Sequence, residues 1–251
     1  MLTKKEKIVL KSEKIRRREK NIKVVRIGLI ITVLFLIIIY FLLKIIYETG
    51  AFTISLDPQL EMKSGIIMYE KLAEKDEKKI LKAQKLEVMD NISVDWLPKN
   101  IDSEAEGGHN GENYIAYTFY LENKGADDVN YWYRIVVDDV IKNIDKAVRV
   151  MVYRNDEKTI YGKLASNGNA ETGTTPFYSD SVVTLQNRKG FKPNDIDKFT
   201  IVIWIEGDDP DCIDSLIGGE MKMHMEITEE HLDKNGNPTE AQEGTSTTTT
   251  N

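Results

Sequence analysis

The chain is predicted to be mainly β, with an N-terminal transmembrane helix followed by a jelly-roll-like β-sandwich carrying one or two short helices. Two observations carry this. Residues 27–47 form one apolar block interrupted only by Lys44, and several later segments alternate apolar and polar residues with period two. The alternating segments are short, rich in β-branched and aromatic residues, and separated by turn signals, the pattern of a sandwich or jelly roll.

The block fits a membrane span. Ile27 to Leu43 is an uncharged run of 17 residues, fourteen of them Leu, Ile, Val or Phe. At the helical rise this run covers about 26 Å, and extension to Tyr47 reaches about 32 Å, against a hydrocarbon core of about 30 Å. Fourteen such residues at about 0.3–0.6 kcal/mol each favour insertion by about 4–8 kcal/mol. Lys44 stands near the outer end, where its amine can snorkel to the headgroups.

Charge sets the direction. Residues 1–26 hold eleven Lys/Arg against three Glu, and once their +8 and Lys44 are removed from the chain's −7, residues 48–251 carry −16. By the positive-inside rule the basic segment is cytoplasmic and the acidic domain extracellular. The span exceeds the usual 7–15 apolar residues of a signal peptide, and the only small-residue site after it, Thr49-Gly50-Ala51, is weak, so retention as an anchor is expected. The basic arm is read as topology, with lipid and not nucleic acid as its partner.

Four segments follow: a cytoplasmic stretch 1–26, a span 27–47, a sandwich 48–232 and a polar, Thr-rich tail 233–251 expected to be disordered. The sandwich has only Cys212. No intrachain disulfide or cysteine metal cluster is available, so packing must hold it.

In order, Ala51 to Leu56 alternates and is a candidate donor for strand addition to a neighbour. Lys71 to Lys85 is a candidate solvated helix. Glu112 to Asn123 reads as a strand with Ile115, Tyr117, Phe119 and Leu121 on one face. Asn123-Lys124-Gly125 reads as the turn of a hairpin into a strand over Asn130 to Val137. Ile141, Ile144 and Val148 mark a short helix. Arg149 to Arg154 and Thr159 to Leu164 flank the turn Asn155 to Lys158. Ser181 to Leu185 adds a strand, as does Phe199 to Glu206, apolar on both faces and therefore central. Met221, Met223, Met225 and Ile227 mark a half-buried strand.

The least ordinary string is Trp204-Ile205-Glu206-Gly207-Asp208-Asp209-Pro210-Asp211-Cys212. Glu206 through Asp214 holds five carboxylates in nine residues, and hard cations take oxygen ligands in such loops. A helix over about Pro210 to Ile217, capped by Asp209, accounts for most of them. Glu206, Asp208 and Asp214 remain as candidate calcium ligands, and no other cofactor is implied.

Two strings, Ala116-Tyr117-Thr118-Phe119-Tyr120-Leu121-Glu122-Asn123-Lys124-Gly125 and Trp204-x-Glu206-Gly207-x-Asp209-Pro210-Asp211-Cys212, resemble exported Gram-positive proteins of the TasA/camelysin-like group. The resemblance covers residues 110–228. It implies a jelly-roll-like sandwich at the cell surface, in a group that includes biofilm-matrix fibre proteins. The N-terminus departs from the group, which usually has a cleaved signal peptide.

Camelysin is regarded as a metalloprotease, which raises hydrolysis as an alternative. A zincin needs H-E-x-x-H, and the chain's three histidines, His109, His224 and His231, do not form it. No phosphate-binding glycine loop occurs either. The sequence therefore reads as a non-enzymatic surface protein that interacts with other surface proteins or its own copies by strand addition. A calcium-dependent binder or hydrolase using residues 206–214 is the alternative.

Overall fold

The structure, a computed structural model, describes residues 22–41 and 52–229, which fall in two compact units. The first contributes helix α1, Ile22–Phe41, long and apolar enough to cross a membrane. Its side chains are exposed all round, with only Ile39 partly covered. Thr32 Oγ1 donates to the carbonyl of Gly28 at 3.0 Å, so the threonine hydroxyl is satisfied within the helix by back-bonding. The predicted residues 1–21, the last part of the span at 42–47, and the tail 233–251 lie outside the described residues.

The second unit is a β-sandwich. Its strands are β1 (Phe52–Leu56), β2 (Ile66–Tyr69), β3 (Ile80–Ala83), β4 (Gly107–Gly108), β5 (Tyr114–Asn123), β6 (Val129–Ile141), β7 (Val148–Arg154), β8 (Glu157–Gly162), β9 (Thr175–Pro176), β10 (Val182–Phe191), β11 (Ile196–Ile205) and β12 (Glu220–Thr228), with helix α2 at Pro58–Ser64. One sheet has the order β10-β6-β12-β1-β3, the other β2-β5-β11-β7-β8-β9 with β4 beside β5.

Alternation explains the layers. Ile115, Tyr117, Phe119 and Leu121 of β5, with Phe199, Ile201 and Ile203 of β11, face Tyr131, Tyr133 and Ile135 of β6 and Met223, Met225 and Ile227 of β12 across the core. Phe119 stacks on Phe199 at 5.2 Å between centroids, and Tyr133 meets the same ring edge-on at 5.1 Å. The other face of β5 and β11 is also buried, as the two-sided apolar pattern of Phe199 to Glu206 predicts. Ile92, Leu97 and Ile101 cover it, packing on Ala116, Met151, Val202 and Trp204.

The hairpin β7–β8 forms as expected, its turn tightened to Asn155-Asp156 with Asn155 at φ 53°. Several expectations are corrected. β5 and β6 are not a hairpin: β5 pairs with β2, β4 and β11, whereas β6 pairs with β10 and β12. The turn at Asn123 to Gly125 carries the chain from one sheet to the other. Asn123 sits at its pivot, donating to the carbonyls of Asp127 and Phe191 at 2.9 and 2.8 Å and accepting from Gly125 N at 2.9 Å. Lys124 N donates to Gly65 O at 2.9 Å, and a Cβ on Gly125 would lie 2.2 Å from Ser64 O, so only glycine allows this approach.

Lys71 to Lys85 is not a helix. It holds turns and then β3, whose Leu81 and Ala83 are buried at every second residue. Ile144 to Lys146 is a single 3-10 turn between β6 and β7. The unexpected helix is α2, which starts with Asp57 accepting from Gln59 N at 2.8 Å and ends at Gly65 in the left-handed region.

The proposed donor segment is already used within its own chain. β1 lies between β12, to which it runs parallel, and β3, with Phe52, Ile54 and Leu56 buried in the core.

Candidate functional site

The acidic string follows β11, where the sheet ends and the chain turns back toward β12. Trp204, on the outer face of β11, and Glu206, one residue beyond its end, are two residues apart and lie on the same side of the chain. Their side chains meet there: Trp204 Nε1 donates to Glu206 Oε2 at 3.0 Å. The same oxygen accepts from Val94 N at 3.2 Å, and Oε1 accepts from Asp208 N at 3.3 Å. Ile92 N donates to Ile205 O and Gly207 N to Ile92 O, at 2.9 and 3.0 Å. Glu206 thus ties the covering segment, the end of β11 and the next loop together.

Asp209 is the second tie. It is buried and forms an ion pair with the guanidinium of Arg149 on β7. Arg149 also donates to the carbonyls of Lys146 and Val148, at 3.2 and 3.3 Å. The planar fork suits this multidentate role. Asp209 Oδ1 accepts from Asp211 N at 2.7 Å, and Asp211 in turn accepts from the hydroxyl and amide of Ser166.

The expected capped helix over Pro210 to Ile217 is replaced by a turn and a 3-10 segment at Asp214–Leu216. Asp209 does cap locally through Asp211 N, but its other oxygen is committed to Arg149, and the chain leaves the helical path.

The three candidate calcium ligands are not brought together. Glu206 is buried with its oxygens accepting three N–H groups, while Asp208 and Asp214 are exposed. Among the described residues, a different triple comes close: carboxylate oxygens of Glu171, Asp209 and Asp211 lie within 4.8 Å of one another. The Arg149 charge already compensates Asp209 there. Arg149 and Glu171 were not legible as partners of the string, since each is remote in sequence; the pairing of Trp204 with Glu206 was not read either, although two residues of strand spacing put them on one face.

His109 and His224 are placed apart, and His231 lies outside the described residues. His109 Nε2 lies 3.1 Å from Thr118 Oγ1, and burial lowers its pKa. His224 lies on the outer face of β12, with Nε2 3.1 Å from Glu226 and Nδ1 2.7 Å from Asp138. The hydrogen bond to Glu226 is the largest influence raising its pKa, and Asp138 adds to it. Glu226 itself is pushed down to about 2 by His224 and Arg134, whose Nε donates to it at 2.6 Å. Cys212 is half-buried and meets Asn91, whose amide donates to the sulfur at 3.3 Å. These groups are spread over separate surfaces; His224 and Cys212 are matched to fold-holding partners, whereas His109 Nδ1 is buried without a hydrogen-bond partner among the described residues.

No family model matches the chain. No curated protein matches it either. Among solved structures, it is similar to a β-glucosidase from Kluyveromyces marxianus in complex with glucose, with 15% identity over 68% of this chain and a TM-score of 0.22. A selenomethionine-labelled form of that enzyme gives 14% identity over 68% and a TM-score of 0.24. The matches span 16% and 17% of those chains, respectively.

Proposed function

We propose that this chain is a single-pass membrane protein with a cytoplasmic N-terminus, whose β-sandwich acts outside the cell in interaction or assembly and performs no catalysis. The observation that carries the reading is α1: twenty residues, exposed all round, apolar beyond Arg26. Such a surface is stable in lipid and costly in water. The charge step across the span supplies the direction. The carboxylates of the conspicuous acidic string support a non-catalytic role, because Glu206 and Asp209 are spent on Val94, Trp204, Asp208 and Arg149. The TasA/camelysin-like strings fall on β5 and on the end of β11, which is consistent with a surface role of that group's kind.

Strand addition has a ready acceptor in β10. It is a terminal strand of ten residues, whereas the terminal strands β3, β2 and β9 have four, four and two. The experiment is fractionation of expressing cells followed by intact mass. The protein is expected in the membrane fraction, resistant to high salt and carrying residues 1–47. Recovery in the medium as a chain starting near Ala51 overturns the anchor.

A calcium-dependent binder is the second reading, favoured by the Glu171, Asp209 and Asp211 triple. Calorimetric titration of calcium separates the two: heat at millimolar calcium, lost in Glu171→Gln, supports it, and silence removes it.

A further inference from the structure

Among the described residues of the sandwich, the three most exposed Val, Ile or Leu side chains line one groove. They are Val88 at 76%, Ile217 at 71% and Ile213 at 58% exposure, around a groove of about 480 Å³ floored by Ile144, Ile205 and Leu216. Single exposed aliphatic residues are ordinary, but a cluster of the most exposed ones with a polar rim marks an interaction surface. These residues are also held in place. Ile213 and Ile217 flank the 3-10 turn, where Leu216 N bonds Ile213 O at 2.9 Å, Ile217 N bonds Asp214 O at 3.2 Å and Gly219 N bonds Leu216 O at 2.7 Å. Lys142 Nζ donates to Ile217 O at 2.6 Å, so the backbone carbonyl beside this exposed side chain is satisfied.

The groove's position in the fold identifies its occupant. β1 and β12 run parallel with Phe52 beside Met223, so both begin at the same end of the sandwich. β3 runs the other way and ends there, with Ala83 beside Phe52. Ile213 and Ile217 precede β12 and Val88 follows β3, so the groove rims the end at which the chain enters β1. The span read from the sequence ends at Tyr47, leaving four residues before Phe52, at most about 14 Å of extended chain. Resting on the proposed anchor, we propose that Val88, Ile213 and Ile217 contact the outer surface of the bilayer, their side chains entering the headgroup–acyl boundary.

The chemistry fits a lipid surface. Apolar side chains gain by entering the headgroup–acyl boundary, and Lys85, which follows β3 at the same end, can extend toward phosphate groups. Glu87, Asp90 and Asp214 lie on the rim, so zwitterionic lipid is favoured over anionic lipid.

The test uses the full chain in phosphatidylcholine vesicles, in a Cys212→Ser background. A nitroxide is placed in turn at Ile217→Cys, at Val88→Cys, at Leu34→Cys within α1, and at Met62→Cys, 83% exposed on α2 and far from the groove. Accessibility to oxygen and to a water-soluble nickel chelate is then compared, with thermal melts confirming that each variant folds. The expected result is that the labels at 217 and 88 show an oxygen-to-nickel ratio several-fold above that at 62, and that the excess shrinks in vesicles containing phosphatidylglycerol. If the label at 34 is in lipid while those at 217 and 88 match 62, this contact is wrong and the anchor stands. A label at 34 in water removes both. Spin–spin broadening at 217 that vanishes on dilution in lipid assigns the groove to a second copy instead and overturns the proposal.

Discussion

Arg149 and Asp209, sixty residues apart in sequence, form an ion pair that both sheet and loop keep from water. Burial of two charges is costly unless each is matched, and here the guanidinium also satisfies two carbonyls while Asp209 caps Asp211 N. Removing one partner leaves the other stranded. Asp209→Ala is therefore expected to destabilise the sandwich by about 3–5 kcal/mol. The double variant Arg149→Leu with Asp209→Ala should lose clearly less than the sum of the single losses. Urea unfolding of the four proteins measures the difference, and additive losses would show that the pair is not coupled.

Trp204→Phe keeps the ring against Ala116 and Val202 and deletes one N–H to Glu206. A buried carboxylate short of a donor costs about 1–3 kcal/mol. The variant should unfold at lower urea by that amount, with amide exchange at Val94 and Asp208 accelerated. Unchanged exchange there would show that Glu206 does not tie these segments.

His224 gives a pH dependence of definite sign. Its folded pKa is raised, first by the hydrogen bond to Glu226 and then by Asp138, with Arg134 on the far side of Glu226. Its contribution to stability is full below the unfolded histidine value, about 6.5, and is lost as pH rises through the higher folded value. Glu226 acts oppositely: its stabilisation is present above 4.5 and lost as pH falls toward about 2. The melting temperature should therefore decline from pH 6 upward in the native chain, and His224→Gln should flatten that decline. Equal slopes in both proteins would contradict the assignment.

Gly125→Ala should cost about 1–3 kcal/mol or more, because its Cβ meets the carbonyl of Ser64 with no flexible side chain to yield. The loss should be matched by faster exchange at Lys124, whose amide bonds Gly65 O. A melting temperature equal to the native one would mean that the turn and α2 can separate at no cost.

The individual strands were legible wherever one period dominated. β5, β11 and β12 could be read from Ile115 to Leu121, Phe199 to Ile205 and Met223 to Ile227, because each buries at least one complete face. The partner of a strand is not written in its own alternation. Asn123-Lys124-Gly125 has hairpin composition, yet Asn123 uses its side chain on Phe191 and Asp127, which turns the chain across the core. Lys71 to Lys85 has helix-favouring Lys and Glu, but Leu81 and Ala83 must reach the core at strand spacing. In the acidic string Asp209 looks like a helix cap, and only the remote Arg149 decides otherwise. Of the candidate ligands, Glu206 was read as a spare carboxylate, and its oxygens instead accept three N–H groups. Its partners, Trp204 excepted, are backbone amides that composition cannot reveal.

The central claim is a sandwich held outside the cell by an uncleaved N-terminal span. It is tested most directly by treating intact cells with an external protease and measuring the mass of what remains. The account predicts loss of the domain from intact cells, with a membrane-embedded remnant that retains residues 1–47 and a released fragment beginning beyond Tyr47. A domain fully protected until the cells are lysed, or an untreated chain already lacking residues 1–47, would contradict it.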